Sequence, residues 1–185
     1  MTSTPYSLVR SRDRRTTVVG VVGFAVALAL ASHVAIPIPG TQVPMTLQPL
    51  AVVLAGLWLG PTAGAASMVL YVLAGAAGLP VFAPMGAPGV ARLLGPTGGY
   101  ILAYPVAAYA AGWVAARGQG YLLRVLAAVL GMAVIYTGGL AQLTVLTGSL
   151  ERAAILGLVP FVLMDFVKAF LAGLLSPRRS ERAPE

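Results

Sequence analysis

The sequence predicts an all-α integral membrane protein, a six-transmembrane-helix bundle, and three observations predict it. Of its 185 residues 58% are hydrophobic and only 9% are charged, whereas a soluble domain carries roughly 25% charged residues. The charges are also segregated. No Lys, Arg, Asp or Glu occurs between Arg15 and Arg92, from Leu93 to Ala116, or from Val125 to Leu150, and one crossing needs only about 20 apolar residues. The last apolar stretch, Ala153 to Leu175, is broken only by Asp165 and Lys168.

Taken in order, residues 1–15 form a basic cytoplasmic tail, 16–176 the transmembrane domain, and 177–185 a second cytoplasmic tail. Helix 1 is expected at about 16–36, ended by the Pro37-Ile38-Pro39-Gly40 turn cluster. A loop carrying Thr41 to Gln48 leads into helix 2, about 47–60. Gly60-Pro61 then makes a short link to helix 3, about 61–79. Residues 79–97 read as a loop. Helix 4 follows at about 98–116, helix 5 at about 123–147 and helix 6 at about 160–176. Pro160 suits the first turn of helix 6, where its missing N–H costs nothing; Leu150 to Val159 then becomes an extramembrane or re-entrant segment. The first apolar run lacks a small-residue cleavage site followed by a polar domain, so it reads as a membrane helix and not as a cleaved leader.

Basic residues set the orientation. With both termini in the cytoplasm, Arg10, Arg12, Arg14, Arg15, Arg117, Arg124, Arg178, Arg179 and Arg182 lie inside, and only Arg92 and Arg152 outside. That asymmetry requires an even number of crossings, which six satisfies. Small residues spaced by four support close helix packing: Gly56, Gly60 and Gly64 across the helix 2–3 turn, and Ala27, Ala31 and Ala35 on helix 1. Pro61 breaks the register of the first set. The second can face either the protein's own bundle or a partner's helix.

Several function classes drop out. The net charge of +7 sits at the edges of apolar runs rather than on a solvated stripe, so no nucleic-acid partner is expected. Zero cysteines exclude thiol chemistry and thiolate metal sites, and one histidine, His33, makes no metal cluster. No Walker-type loop is present; any ATP that drives transport must be hydrolysed by other chains. Without a His-Glu metal motif or a nucleophile–base pair, the chain is not expected to be an enzyme.

Asp165 and Lys168 carry the strongest signal. Three residues apart, they lie on one helical face. Each costs about 2.5–3.5 kcal/mol at the centre of a bilayer on the insertion scale, so such residues face a bundle interior or a cavity. They are either a functional site or a structural ion pair. An Asp carboxylate accepts two N–H donors and a Lys ammonium neutralises a ligand carboxylate; a small anionic ligand with N–H groups would suit both. Gly95-Pro96-Thr97-Gly98-Gly99-Tyr100 opens helix 4, either exposing backbone N–H groups to a ligand or serving as an ordinary turn and cap. Arg92 is a partner for a ligand carboxylate or for headgroups, and Thr46 and Gln48 bond a ligand or cap helix 2. His33, Trp58 and Trp113 read as interfacial residues.

In this order, VPMTLQPLAVVLAGLWLGP at 43–61, YVLAGAAGLPVF at 71–82, GPTGGY at 95–100 and VPFVLMDFVKAF at 159–170 resemble the BioY family, the substrate-binding S components of biotin energy-coupling-factor (ECF) transporters. The resemblance covers about Val18 to Leu175. It implies a high-affinity biotin pocket near the extracellular side and partnership with a transmembrane coupling subunit and ATPase subunits. The setting it implies is the lipid bilayer of a prokaryotic cell membrane, and it calls for no cofactor. Asp165 matches the residue that receives the ureido ring and Lys168 the one that receives the valerate carboxylate. Thr97, Gly98, Gly99 and Tyr100, with Thr46 and Gln48, would line or cover the pocket, while Ala27, Ala31 and Ala35 resemble the surface shown to the coupling subunit. Two departures stand out. Some members place a ring-binding Asn after the V-F pair, where this chain has Ala83-Pro84-Met85, and some use Arg where Thr97 stands; Arg92 is a candidate substitute. The competing readings are an S component for another small vitamin and a self-sufficient secondary transporter coupled to protons through Asp165. The small size and missing second repeat argue against the last.

Overall fold

The structure, a computed structural model, describes residues 14–118 and 120–177. Most of both expected tails, with Arg10, Arg12, Arg178, Arg179 and Arg182, lies outside the described residues. Among the described residues the regular structure is helical apart from one pair of two-residue strands. Its elements are α1 (Arg14–His33), β1 (Ala35–Ile36), β2 (Met45–Thr46), α2 (Gln48–Leu59), α3 (Pro61–Ala76), α4 (Val90–Leu94), α5 (Gly98–Ala115), α6 (Tyr121–Thr147), α7 (Leu150–Gly157) and α8 (Val162–Leu175). The long helices α1, α2, α3, α5, α6 and α8 fall where the six helices were expected, to within a few residues at their ends. By length and composition α1 and α6 can each cross a membrane, and α7 with α8, bent by 57°, make a third candidate span; α2 and α3 are shorter apolar helices.

The bundle is built around α5, which packs against α2, α3 and α6. Close approach explains its composition. Ala107, Ala108 and Ala111 are fully buried. A Cβ on Gly56 would lie 2.2 Å from the Ala108 carbonyl oxygen, and one on Gly112 2.6 Å from the Pro61 nitrogen. The three spaced glycines thus divide their work. Gly56 and Gly64 let backbones meet, while Gly60, at φ 87°, makes the turn, a conformation that other residues adopt with strain. Leu28, Val52, Val53 and Met68 fill the interior.

Apolar side chains also cover the outside. On α8 alone Leu163, Phe166, Phe170 and Leu174 are exposed, the pattern of a surface solvated by lipid. At one end of the bundle Arg124, buried in the first turn of α6, donates to the carbonyls of Ser176 (3.4 Å) and Pro177 (3.2 Å) just beyond α8. Unpaired carbonyls at a helix C-terminus favour a cation there.

Two expectations are corrected. The helical Ala ladder ends at Ala31, because α1 stops at His33 and Ala35 belongs to β1, paired with Thr46. Pro37 disfavours helical geometry at the residue before it, which turns the chain to an extended path. Ala25, Leu28 and Ser32 form the buried stripe of α1; Ala27 is exposed on the opposite side and Ala31 half-buried. The segment expected outside the membrane or re-entrant carries α7, capped by the Ser149 hydroxyl, which accepts from the Arg152 N–H, and its 57° bend to α8 fits a broken span or a re-entrant loop alike. Pro160 lies in the turn before α8 and not inside its first turn.

Candidate ligand-binding site

Pro160 breaks the chain between α7 and α8, and the break puts Asp165 in the first turn of α8. A helix N-terminus favours an anion. Lys168, one turn further on, donates from Nζ to Asp165 Oδ1 at 2.6 Å and to the Thr46 carbonyl oxygen at 2.8 Å. The Tyr136 hydroxyl, from α6, donates to Asp165 Oδ2 at 2.5 Å. Asp165 is 6% exposed and Lys168 8%. Two of the three N–H groups on the ammonium are thus engaged.

The strand pair and the start of α2 form the neighbouring wall. Pro49, in the first turn, suits a helix start. The Thr46 hydroxyl accepts from the Gln48 N–H at 3.3 Å and donates to Gln48 Oε1 at 3.2 Å. Gln48 Nε2 donates to the Tyr71 hydroxyl at 2.8 Å, buried in the bundle. Thr46 thus supports the helix start, and both residues line the cavity.

Arg92, in α4, is buried. It donates from Nε to the Ala87 carbonyl at 3.0 Å, from Nη2 to that of Ala83 at 2.5 Å, and from Nη1 to that of Met85. One guanidinium so gathers three alternate carbonyls of the loop between α3 and α4 and turns it over the cavity. Burial lowers its pKa from the ordinary value, with the Tyr71 oxygen acting the other way; arginine stays charged under any ordinary condition. A second anchor holds the next segment: Gln142 Nε2 donates to the carbonyls of Leu93 (3.0 Å) and Gly95 (2.6 Å). Tyr100 closes the inner side, donating to the Gly157 carbonyl at 2.8 Å, its ring set edge-on to Tyr136 at 6.5 Å between centroids.

Together these elements surround a cavity whose space, counted with its open mouth, is about 610 Å³. One wall carries the Asp165–Lys168 pair, another the Gln48 amide, and the space between is lined by Tyr100, Tyr104, Ile101, Ile135 and Phe161. Charge sits at one wall and aromatic or aliphatic surface around it. Such a space suits a small amphipathic ligand with one anionic group and N–H donors. Among the described residues no group of His, Cys, Asp or Glu is placed to hold a metal ion.

A model of the BioY family matches residues 4–185. The chain belongs to the BioY family. A "Probable biotin transporter BioY" of Pyrococcus horikoshii is 45% identical to it over 136 residues, 74% of this chain and 80% of that protein. The "Biotin transporter BioY" of Thermotoga maritima is 36% identical over 143 residues, 77% of this chain and 84% of that one. A crystal structure of "the S-component for biotin from an ECF-type ABC transporter" superimposes with a TM-score of 0.80 at 24% identity, covering 88% of this chain and 89% of the other. That likeness speaks for the fold. BioY proteins are a transport family and not an enzyme family, and this chain is a multi-pass membrane protein.

Within this BioY chain, Asp165, Lys168, Thr46, Gln48, Arg92, Thr97 and Tyr100 come together at one cavity. Gly98 and Gly99 do not line it. A Cβ on Gly98 would lie 1.8 Å from the Leu93 carbonyl oxygen and one on Gly99 2.2 Å from that of Gly138, so both are used by backbone packing beneath the cavity floor. Ala83 also lines the cavity. Sequence reasoning missed Tyr136, Tyr104 and Gln142. A signal was there for the first: a tyrosine in the middle of an apolar span must find a partner for its hydroxyl, and few polar groups in this chain offer one.

Proposed function

We propose that this chain is the high-affinity biotin-binding S component of an ECF-type importer in a prokaryotic cell membrane. In this reading six helices cross the bilayer, both termini are cytoplasmic, and biotin enters from outside into the cavity beneath β1 and β2. A transmembrane coupling subunit and ATPase subunits supply the energy, and the exposed face of α1 around Ala27 and Ala31 meets the coupling subunit. The buried Asp165–Lys168 pair at the wall of a small-molecule cavity carries the proposal. An importer of an anionic, N–H-bearing vitamin needs both charges, whereas structural glue alone would not need a cavity beside them.

Biotin's ring and carboxylate are separated by a four-carbon chain, so they cannot both meet atoms that stand 2.6 Å apart. Binding therefore parts the pair: the ureido N–H groups take the carboxylate oxygen that Lys168 leaves, and the ammonium follows the valerate carboxylate. The Gln48 amide, Thr97 and the Arg92-held loop complete the enclosure.

Equilibrium binding of biotin to the purified chain in detergent tests this, with wild type beside Asp165→Asn and Lys168→Ala. Tight wild-type binding weakened by both substitutions is the expected result. Binding that survives both would keep biotin and reduce the pair to structural glue. No binding by the wild type would overturn the assignment.

A further inference from the structure

Asp165 faces two different spaces. One is the ligand cavity. The other is a groove on the outer side of α6 and α8, lined by Val129, Met132, Ala133, Leu158, Val162 and Phe166 and offering no polar surface. Tyr136 and Asp165 are the two residues that border both spaces. The carboxylate therefore sits between the cavity and an apolar groove, a setting in which a charged oxygen without a donor is expensive. The donor that meets Oδ2 is the Tyr136 hydroxyl.

The geometry points to Tyr136 as the positioning residue that holds the Asp165 carboxylate aimed at the ligand. The inference rests on the proposed biotin-binding reading and deepens it. Asp165 has two donors among the described residues, Lys168 on Oδ1 and Tyr136 on Oδ2. Once Lys168 moves to the ligand carboxylate, Tyr136 is the one of the two that stays. It fixes the plane of the carboxylate and leaves Oδ1 for the ligand's N–H groups. Its own place is held by α6 and by the edge-on ring of Tyr100, whose hydroxyl is tied to the Gly157 carbonyl. Removal of the hydroxyl alone leaves the ring as a wall between cavity and groove, so Tyr136→Phe isolates the hydrogen bond from the packing.

A double-mutant cycle tests it: biotin affinity of wild type, Tyr136→Phe, Asp165→Asn and the double variant. It is measured in membranes as well as in detergent, so that a variant too fragile to purify is still scored, with ligand raised until the weak variants saturate. A hydrogen bond to a charged group predicts a loss of about tenfold or more for Tyr136→Phe. Because the hydroxyl acts through Asp165, the same change made on Asp165→Asn should cost less than about twofold. Wild-type affinity in Tyr136→Phe would overturn the inference, as would an equal loss in both backgrounds, which would make Tyr136 a contact independent of Asp165. A wild type that binds no biotin would remove the parent reading along with it. A wild type that binds, is weakened by Asp165→Asn and is indifferent to Tyr136→Phe would remove this inference alone.

Discussion

Replacing Lys168 by Met keeps the long apolar stem and deletes the charge. The structure then sets two separate costs. Asp165 loses its 2.6 Å partner and the Thr46 carbonyl its 2.8 Å donor, both within a buried site. Breaking a buried pair from one side costs about 3–5 kcal/mol, here reduced because Tyr136 still donates to the carboxylate. Melting in detergent should therefore fall for Lys168→Met and recover largely in the double variant Asp165→Asn/Lys168→Met, which leaves no lone charge. The second cost is to binding. A charge-assisted bond to the ligand carboxylate is worth about 1.5–3 kcal/mol, or about 10- to 150-fold in Kd. Titration calorimetry with biotin and with its neutral carboxamide separates the two. The amide should bind wild type weakly and be indifferent to Lys168→Met, while biotin loses the full factor. Equal losses for both ligands would refute the reasoning, since Lys168 would then be acting through the fold and not through the ligand's charge.

Arg92→Met strands the carbonyls of Ala83, Met85 and Ala87 at about 1–3 kcal/mol for each that stays buried; limited proteolysis should cut the 83–89 loop faster and biotin affinity should drop about tenfold. An uncut loop would show that the guanidinium does not hold it. Gly56→Ala places a methyl against the Ala108 carbonyl and should lower stability by about 1–3 kcal/mol, visible as earlier thermal unfolding; an unchanged melt would mean that α2 and α5 can separate freely. Ala27→Trp, on the outward side of α1, should leave biotin binding by the isolated chain intact while abolishing co-purification with a coupling subunit. Weakened binding in that variant would place Ala27 in the bundle instead.

Helix positions were legible because their signals are local. Uncharged intervals mark α1, α2, α3, α5 and α6, and Gly60-Pro61 marks the shortest turn between them. The strand pair was not legible: two residues on each side give no alternation to read, and its pairing of Ala35 with Thr46 depends on where Pro37 turns the chain. For the same reason the i,i+4 spacing of Ala35 was a coincidence of sequence, since the helix that would give it meaning has already ended. The Asp165–Lys168 pair was legible because charge in an apolar span needs a reason. Its partners were not, because the contact between Lys168 and Thr46 joins positions 122 apart. Arg92 could be read as a charge near the site but not as a clasp, because backbone carbonyls leave no mark in a sequence. Gly98 and Gly99 were misleading in the opposite sense: small residues serve a ligand or a neighbouring helix equally well, and only the positions of Leu93 and Gly138 decide.

The partners of the charged pair have a consequence for how the protein is made. Asp165 and Lys168 lie in the last of the described helices, and that helix of 14 residues is only about 21 Å long, too short to span a bilayer alone. Yet Thr46 and Tyr136 both precede it in the chain. By the time α8 emerges, the carbonyl that receives the ammonium and the hydroxyl that meets the carboxylate have already been made. Synthesis order thus supplies each charge with its partner before the charge arrives, and a circular permutant that made α8 first should stall at insertion even though every native contact remained available to it.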